Sequence, residues 1–351
     1  MLMKPLLIGN LKSRFPIIQG GMGVGISRAR LAGAVASEGG IGIISTAQIG
    51  YDEPDFEKHP IEANLLAIKK HLQKAKEIAK GGIVGVNIMV ATKRYADYVK
   101  AAVEAKADVI ISGAGLPVNL PELVRGGVSK IAPIVSSCKA ASIILKLWDK
   151  KYQRTADFLV IEGPKAGGHL GFHEEELGTI NEESYDQEIH KIIDVAREYE
   201  DKYKQNIPVI IGGGIYSKED VEHALQLGAA GIQVGTRFVT TEECDASEAY
   251  KQAYLACNKE DIRIIKSPVG MPGRAIWNPF LEKVTKEKEV ITRCFHCLEH
   301  CNPIDVPYCI TRALIHAVEG NLDQGLIFCG ENAYKLKEMS TVKEVMRDLI
   351  V

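Results

Sequence analysis

The stretch Phe158-Leu-Val-Ile-Glu-Gly-Pro-Lys-Ala-Gly-Gly-His-Leu-Gly171 decides how the chain is read. Its apolar run, Phe158 to Ile161, has the composition of a strand buried on both faces, as in parallel sheets. The run stops at Glu162 and enters a turn where Gly163, Gly167, Gly168 and Gly171 surround one imidazole, His169. In α/β barrels the loops after the C-terminal strand ends carry the chemistry. Glycines there let backbone approach a ligand closely and aim N–H groups at it. The plain alternative is a Gly-rich turn with an incidental surface histidine, and only the rest of the chain separates the two.

Apolar, β-branched runs of the same kind recur on both sides of this stretch. With it they are 15–19, 40–44, 84–89, 109–112, 131–135, 158–161, 208–211 and 231–234. Amphipathic segments at 28–38, 62–79, 95–106, 139–150, 182–203 and 218–227 alternate with them. Ser27, Ser137 and Ser217 stand where N-caps belong, the last with Asp220 three residues on. Eight strands alternating with helices predict an α/β chain folded as a closed (β/α)8 TIM barrel, in preference to an open doubly wound sheet. The long acidic connection 172–182 reads as a lid. Residues 1–244 account for the barrel. Residues 245–351 are too long for one closing helix and are read as a mainly helical, Cys-rich extension packed on it.

Charge and length narrow the function. The 351 residues carry 43 Lys+Arg against 45 Asp+Glu, a net charge of -2, with no block of like charge. This gives no basic groove for nucleic acid and no patch for an anionic membrane. No apolar run reaches the ~18 residues of a membrane span, and the start lacks the apolar core of a signal peptide. The expectation is a soluble cytoplasmic protein acting on a small molecule. Oligomeric state is left open, a homodimer included. Eight cysteines do not make a secreted disulfide scaffold at this length.

The last two strands end in Gly212-Gly-Gly-Ile-Tyr-Ser217 and Gln233-Val-Gly-Thr-Arg-Phe238. These are the places where such barrels bind phosphate, with backbone N–H groups and a helix N-terminus. Gly212, Gly213, Gly214 and Gly235 are therefore candidate phosphate contacts, with the Thr236 hydroxyl and the Arg237 charge beside them. FMN or a sugar phosphate would each satisfy such a cradle. The other strand ends favour the flavin. Met22, among Gly20, Gly21, Gly23 and Gly25, offers a polarisable thioether to a flat ring. Asn87 offers an amide to a ring edge, and Glu162 ends its strand beside the Gly167-Gly168-His169 turn. Each residue alone has a dull role as core filler, turn residue or solvated carboxylate.

These motifs, in this order and with Ser267-Pro-Val-Gly-Met-Pro-Gly-Arg-Ala-Ile276, resemble the nitronate monooxygenase (2-nitropropane dioxygenase) family. They look equally like its sister, the type II flavin-dependent enoyl-acyl carrier protein reductases. The resemblance covers roughly residues 4–280 and implies a TIM barrel binding FMN non-covalently. It implies flavin contacts at Gly21, Met22, Asn87, Glu162, Gly167, Gly214, Gln233, Gly235 and Thr236, and an active-site role for His169. The chain departs from the monooxygenase pattern at Glu162, where many members have Gln and the reductases more often have Glu.

Two enzymatic readings follow from the resemblance. In the first, His169 deprotonates a nitroalkane, or the nitronate arrives pre-formed, and oxygen completes conversion to a carbonyl compound and nitrite. A largely neutral imidazole suits that base. In the second, a nicotinamide reduces FMN for reduction of a 2,3-unsaturated thioester held by His169, with acyl carrier protein as partner. A non-enzymatic FMN- or sugar-phosphate-binding barrel ranks third, because it has no use for an imidazole beside the ring.

The tail has its own pattern, Cys294-Phe-His-Cys297-Leu-Glu-His-Cys301, then Cys309 and Cys329. Three such close cysteines resemble iron–sulfur ligation, and His296 and His300 would allow zinc. Neither later cysteine follows at a familiar interval, so soft side chains packed against the barrel, with no metal, are the favoured expectation.

Overall fold

The computed structural model describes residues 3–350. Eight parallel strands close into a barrel: β1 Ile17–Gln19, β2 Ile41–Ser45, β3 Ile83–Met89, β4 Val109–Gly113, β5 Lys130–Val135, β6 Leu159–Glu162, β7 Val209–Gly212 and β8 Gly231–Val234. The strands follow chain order round the barrel, and β8 closes on β1 with Val234 beside Gln19. The α/β barrel expected from the strand-and-helix alternation is therefore present.

Strand parity explains what reaches the barrel mouth, because successive side chains point to opposite faces. In β6, Leu159 and Ile161 pack with the helices, while Phe158 and Val160 belong to the apolar cluster inside the barrel. Glu162 shares the inward parity of Phe158 and Val160. By the same count Ile83 faces in, Val84, Val86 and Ile88 face out, and Asn87 faces in. The opposite end is plugged by the hairpin Leu6–Ile8 and Leu11–Ser13, whose Leu6 and Ile8 join the interior cluster.

Two of the three predicted caps form. Ser137 Oγ accepts from Ala140 N at 3.2 Å, and Ser217 completes a capping box with Asp220. Ser27 caps nothing. Its hydroxyl accepts from Met22 N at 2.8 Å and returns a bond to Met22 O at 3.2 Å, which fixes the Met22 loop. The N-terminus of helix Ala29–Ser37 is capped by the carboxylate of Asp245, 217 residues away from Arg28. Asp245 accepts from Arg28 N (2.9 Å), Leu31 N (3.1 Å) and Arg30 N (3.3 Å).

The chain leaves the barrel after β8 and comes back beside its point of departure. Ser340 N donates to Thr240 O and Glu242 N to Ser340 O, each at 2.9 Å. The final helix, Val342–Leu349, buries Val342, Val345, Met346 and Leu349 in the same apolar layer as Ala29 and Val221 of the barrel's helices. Within the stretch read as an extension, this last helix thus packs in the barrel's outer ring. The intervening segment carries helices Glu248–Ala256, Pro279–Lys286 and Ile310–Glu319. It also carries a hairpin, Ile262–Lys266 with Pro272–Ile276, to which Gly168–His169 adds as a third antiparallel strand. The expected lid, 172–182, holds one exposed helical turn, Glu174–Leu177. Among the described residues no helix is long and apolar enough to cross a membrane.

Candidate active site

A cavity of about 420 Å³ opens at the C-terminal mouth of the barrel. Fourteen of the residues singled out in the sequence line it: Gly21, Met22, Gly23, Asn87, Glu162, Gly167, Gly168, His169, Gly212, Gly213, Gly214, Gln233, Gly235 and Thr236.

The glycine turn after β7 cannot be built from other residues. Gly213 and Gly214 have φ of +94° and +93°, values that side chains with a Cβ rarely adopt. A Cβ on Gly213 would lie 2.8 Å from Gly163 O, and one on Gly214 2.9 Å from the Cβ of Lys165. The backbone N–H groups of Gly213, Gly214 and Gly235 have no hydrogen-bond partner among the described residues. Unpaired donors beside the start of helix Lys218–Gln226 form a cradle for an anion such as phosphate. Arg237, expected to add charge, is turned away and held by Asp348 (2.9 Å) and the carbonyl of Tyr216 (2.7 Å). Lys165 lines the cavity in its place and pairs with Glu182 at 3.1 Å.

His169 is positioned from the far end of the chain. Its Nε2 lies 2.8 Å from Ser267 Oγ, and the Phe328 ring meets the imidazole edge-on with centroids 4.9 Å apart. The backbone is fixed as well, since Gly168–His169 is zipped to Gly273 and Arg274 and Leu170 N donates to Pro272 O at 2.9 Å. Burial pushes the imidazole down to about 4, so the ring is neutral near pH 7. The residue keeps part of its surface accessible, on the cavity side.

Arg274 holds the turn that precedes His169. Buried at 7 % exposure, its guanidinium donates to the carbonyls of Pro164 (2.9 Å) and Ala166, with Glu331 3.6 Å away. Gly167 packs so closely beneath the extension that a Cβ would lie 2.5 Å from the Cys329 backbone. On the other wall, burial pushes the Glu162 carboxyl up to about 7, against the opposing pull of the Gly171 N–H, 3.1 Å away. Tyr185 anchors this strand end by donating to Glu162 O at 2.8 Å.

Sequence reading missed the depth of the extension's contribution. Met271, Leu314, Phe328, Cys329, Gly330, Glu331 and Asn332 all line the cavity. Asn332 Nδ2 donates to Gly214 O at 2.7 Å, and a Cβ on Gly330 would lie 2.6 Å from Thr236 Oγ1. The usable signal was the Gly- and Pro-rich run from Ser267 to Arg274, whose glycines admit backbone beside the His169 strand.

Polarisable and apolar walls (Met22, Met271, Leu314, Phe328), amides at Asn87 and Gln233 and a backbone phosphate cradle meet the needs of one ligand class. The residues fit FMN, and the fold and site define an FMN-dependent oxidoreductase built on a TIM barrel. The chain belongs to the nitronate monooxygenase family, whose sequence model matches residues 4–351. A probable nitronate monooxygenase of Bacillus subtilis is 25% identical, covering 95% of this chain and 94% of the relative. A (3aS,4S,5R,7aS)-5-hydroxy-7a-methyl-1-oxo-octahydro-1H-indene-4-carboxyl-CoA dehydrogenase of Rhodococcus jostii is also 25% identical, over 93% of this chain and 72% of that one. Among solved structures, FabK of Thermotoga maritima is similar with a TM-score of 0.71 at 26% identity, covering 95% and 91% of the two chains. A nitroalkane oxidase of Streptomyces ansochromogenes shares the fold with a TM-score of 0.71 at 18% identity, covering 96% and 95%.

Proposed function

We propose that the protein oxidises alkyl nitronates, and nitroalkanes that His169 first deprotonates, to a carbonyl compound and nitrite. The observation that carries this reading is a neutral imidazole facing the cavity. The fourteen lining residues named above are proposed to hold FMN and substrate, with His169 as the catalytic base. Bound FMN supplies the electron-accepting ring and the reaction with oxygen.

The chain's own contribution is positioning and proton transfer. In the tautomer that donates Nε2–H to Ser267 Oγ, His169 has its Nδ1 lone pair free for the proton on the carbon bearing the nitro group. The Phe328 edge and the Met22, Met271 and Leu314 side chains keep water from competing for that base. The backbone donors of Gly213, Gly214 and Gly235 would hold the cofactor's phosphate. Glu162, neutral below about pH 7, offers a donor rather than a charge to the anionic nitronate.

A second reading, reduction of a 2,3-unsaturated thioester with NAD(P)H, draws support from Glu162 and from the likeness to FabK. Its substrate would arrive on acyl carrier protein or a similar thioester carrier. The test of the first reading is steady-state turnover of an alkyl nitronate by the FMN-loaded protein, read as oxygen uptake matched by nitrite. Absence of nitrite, with enoyl-thioester reduction in its place, decides for the second.

A further inference from the structure

The phosphate cradle lacks the positive charge expected beside it, because Arg237 is spent on Asp348 and the carbonyl of Tyr216. Taking an anion out of water is costly unless it is paired as well as hydrogen-bonded. Among the described residues that line the cavity, Lys165 is the one Lys or Arg, set against the carboxyl groups of Glu162 and Glu331. Glu331 already faces Arg274, 3.6 Å away. Lys165 is therefore the cation left for an anionic ligand.

Its stem runs along the cradle itself. A Cβ on Gly214 would lie 2.9 Å from Lys165 Cβ and 3.0 Å from its Cδ. The Gly214 N–H has no partner among the described residues, and the Gly214 carbonyl is fixed by Asn332 Nδ2 at 2.7 Å. The backbone around the lysine is fixed too. Glu331 N donates to Lys165 O at 3.2 Å, and Ala166 N donates to Gly163 O at 3.0 Å. Arg274 bonds the carbonyls of Pro164 and Ala166 on either side. The freedom at this position lies in the side chain, a flexible four-carbon stem carrying three donors.

The ammonium group has a partner that it can leave. Lys165 Nζ lies 3.1 Å from Glu182 Oε2, with the two side chains 45% and 65% exposed. Ion pairs as exposed as this one contribute little. Glu182 begins helix Glu182–Tyr203, where the acidic connection 172–182 ends. A carboxylate released there keeps a favourable place at the positive end of the helix.

We propose that Lys165 is the cation of the phosphate site and exchanges Glu182 for the phosphate when FMN binds. A phosphate monoester carries about two negative charges and three acceptor oxygens, against the single charge of a carboxylate. The inference rests on the reading of the cavity as an FMN site, and it holds whichever substrate is oxidised there. It also ties the end of the acidic connection to the cofactor, since Glu182 is held by Lys165 only while the phosphate is absent.

FMN and riboflavin differ only in the phosphate, so their binding to the full-length protein freed of flavin, followed by flavin fluorescence, tests the proposal. Lys165→Ala should weaken FMN by roughly ten- to thirtyfold, the usual worth of a hydrogen bond to a charged group, and leave riboflavin within about twofold. Lys165→Arg should keep most of the FMN affinity. Glu182→Gln should tighten FMN by about two- to fivefold, because the competing carboxylate is gone, with riboflavin unchanged. If Lys165→Ala keeps the wild-type preference for FMN, or weakens both flavins alike, the proposal is wrong. No response to Glu182→Gln overturns the exchange of partners. A wild-type protein that binds the two flavins equally fails at the cradle itself, which separates failure of the FMN reading from failure of the role given to Lys165.

Discussion

Nε2 of His169 and Oγ of Ser267 lie 2.8 Å apart although 98 residues separate them in the chain. The contact joins the barrel's sixth strand end to a hairpin of the extension, so the candidate base is oriented by a segment outside the barrel's strands.

Replacing His169 with Ala should leave FMN bound, because the phosphate cradle lies on other strands. Turnover of a neutral nitroalkane should fall by roughly a hundredfold or more, the usual loss of a general base. The loss on a pre-formed nitronate should be smaller, since no proton remains to be removed. Equal losses on both substrates would make His169 a binding group and not a base.

Ser267 acts through His169, so its removal should look like misplacement and not loss. Ser267→Ala is expected to lower kcat on the nitroalkane by about ten- to a hundredfold with little change in KM, and Ser267→Thr should recover part of it. A purely structural serine would instead lower stability and leave the kcat of the folded fraction intact.

The two walls titrate in separate windows. Imidazole is the active base only above its value of about 4, so kcat/KM for the nitroalkane should fall as pH drops through about 4. Glu162 is neutral below about 7 and charged above it. Activity on the anionic nitronate should therefore fall as pH rises through about 7, and Glu162→Gln should abolish that limb.

Gly214→Val places a branched side chain at φ of +93° with its Cβ 2.9 Å from that of Lys165. Purified variant should keep native far-ultraviolet dichroism and contain little FMN. Normal flavin content would show that the phosphate is held elsewhere.

Asp245 caps a barrel helix from the start of the extension. Asp245→Ala should cost about 1–2 kcal/mol, as lost N-caps do, and lower Tm by a few degrees without changing the flavin spectrum. Unchanged melting would mean that water replaces the carboxylate at no cost.

The barrel was legible because its strands are continuous apolar runs and each carries its own Gly-rich end. The cavity's barrel-derived wall was legible for the same reason, since strand parity carries Asn87, Glu162 and Gln233 to the mouth. What stayed hidden depends on contacts distant in sequence. Ser27 has the composition of a cap, but its hydroxyl serves Met22 while a carboxylate 217 residues from Arg28 takes over the helix. Arg237 reads as a phosphate ligand, but Asp348, from the last helix, holds it. The hairpin partner of His169 leaves only a Gly- and Pro-rich trace in the sequence.

Anaerobic mixing tests the central claim most directly. Purified protein loaded with FMN is mixed, without oxygen, with an alkyl nitronate in one syringe and with NADH in another, and the flavin band is followed. The proposed activity requires prompt loss of that band with the nitronate, and its return with nitrite release when oxygen is admitted. Prompt bleaching by NADH with no response to the nitronate would contradict it and transfer the site to thioester reduction.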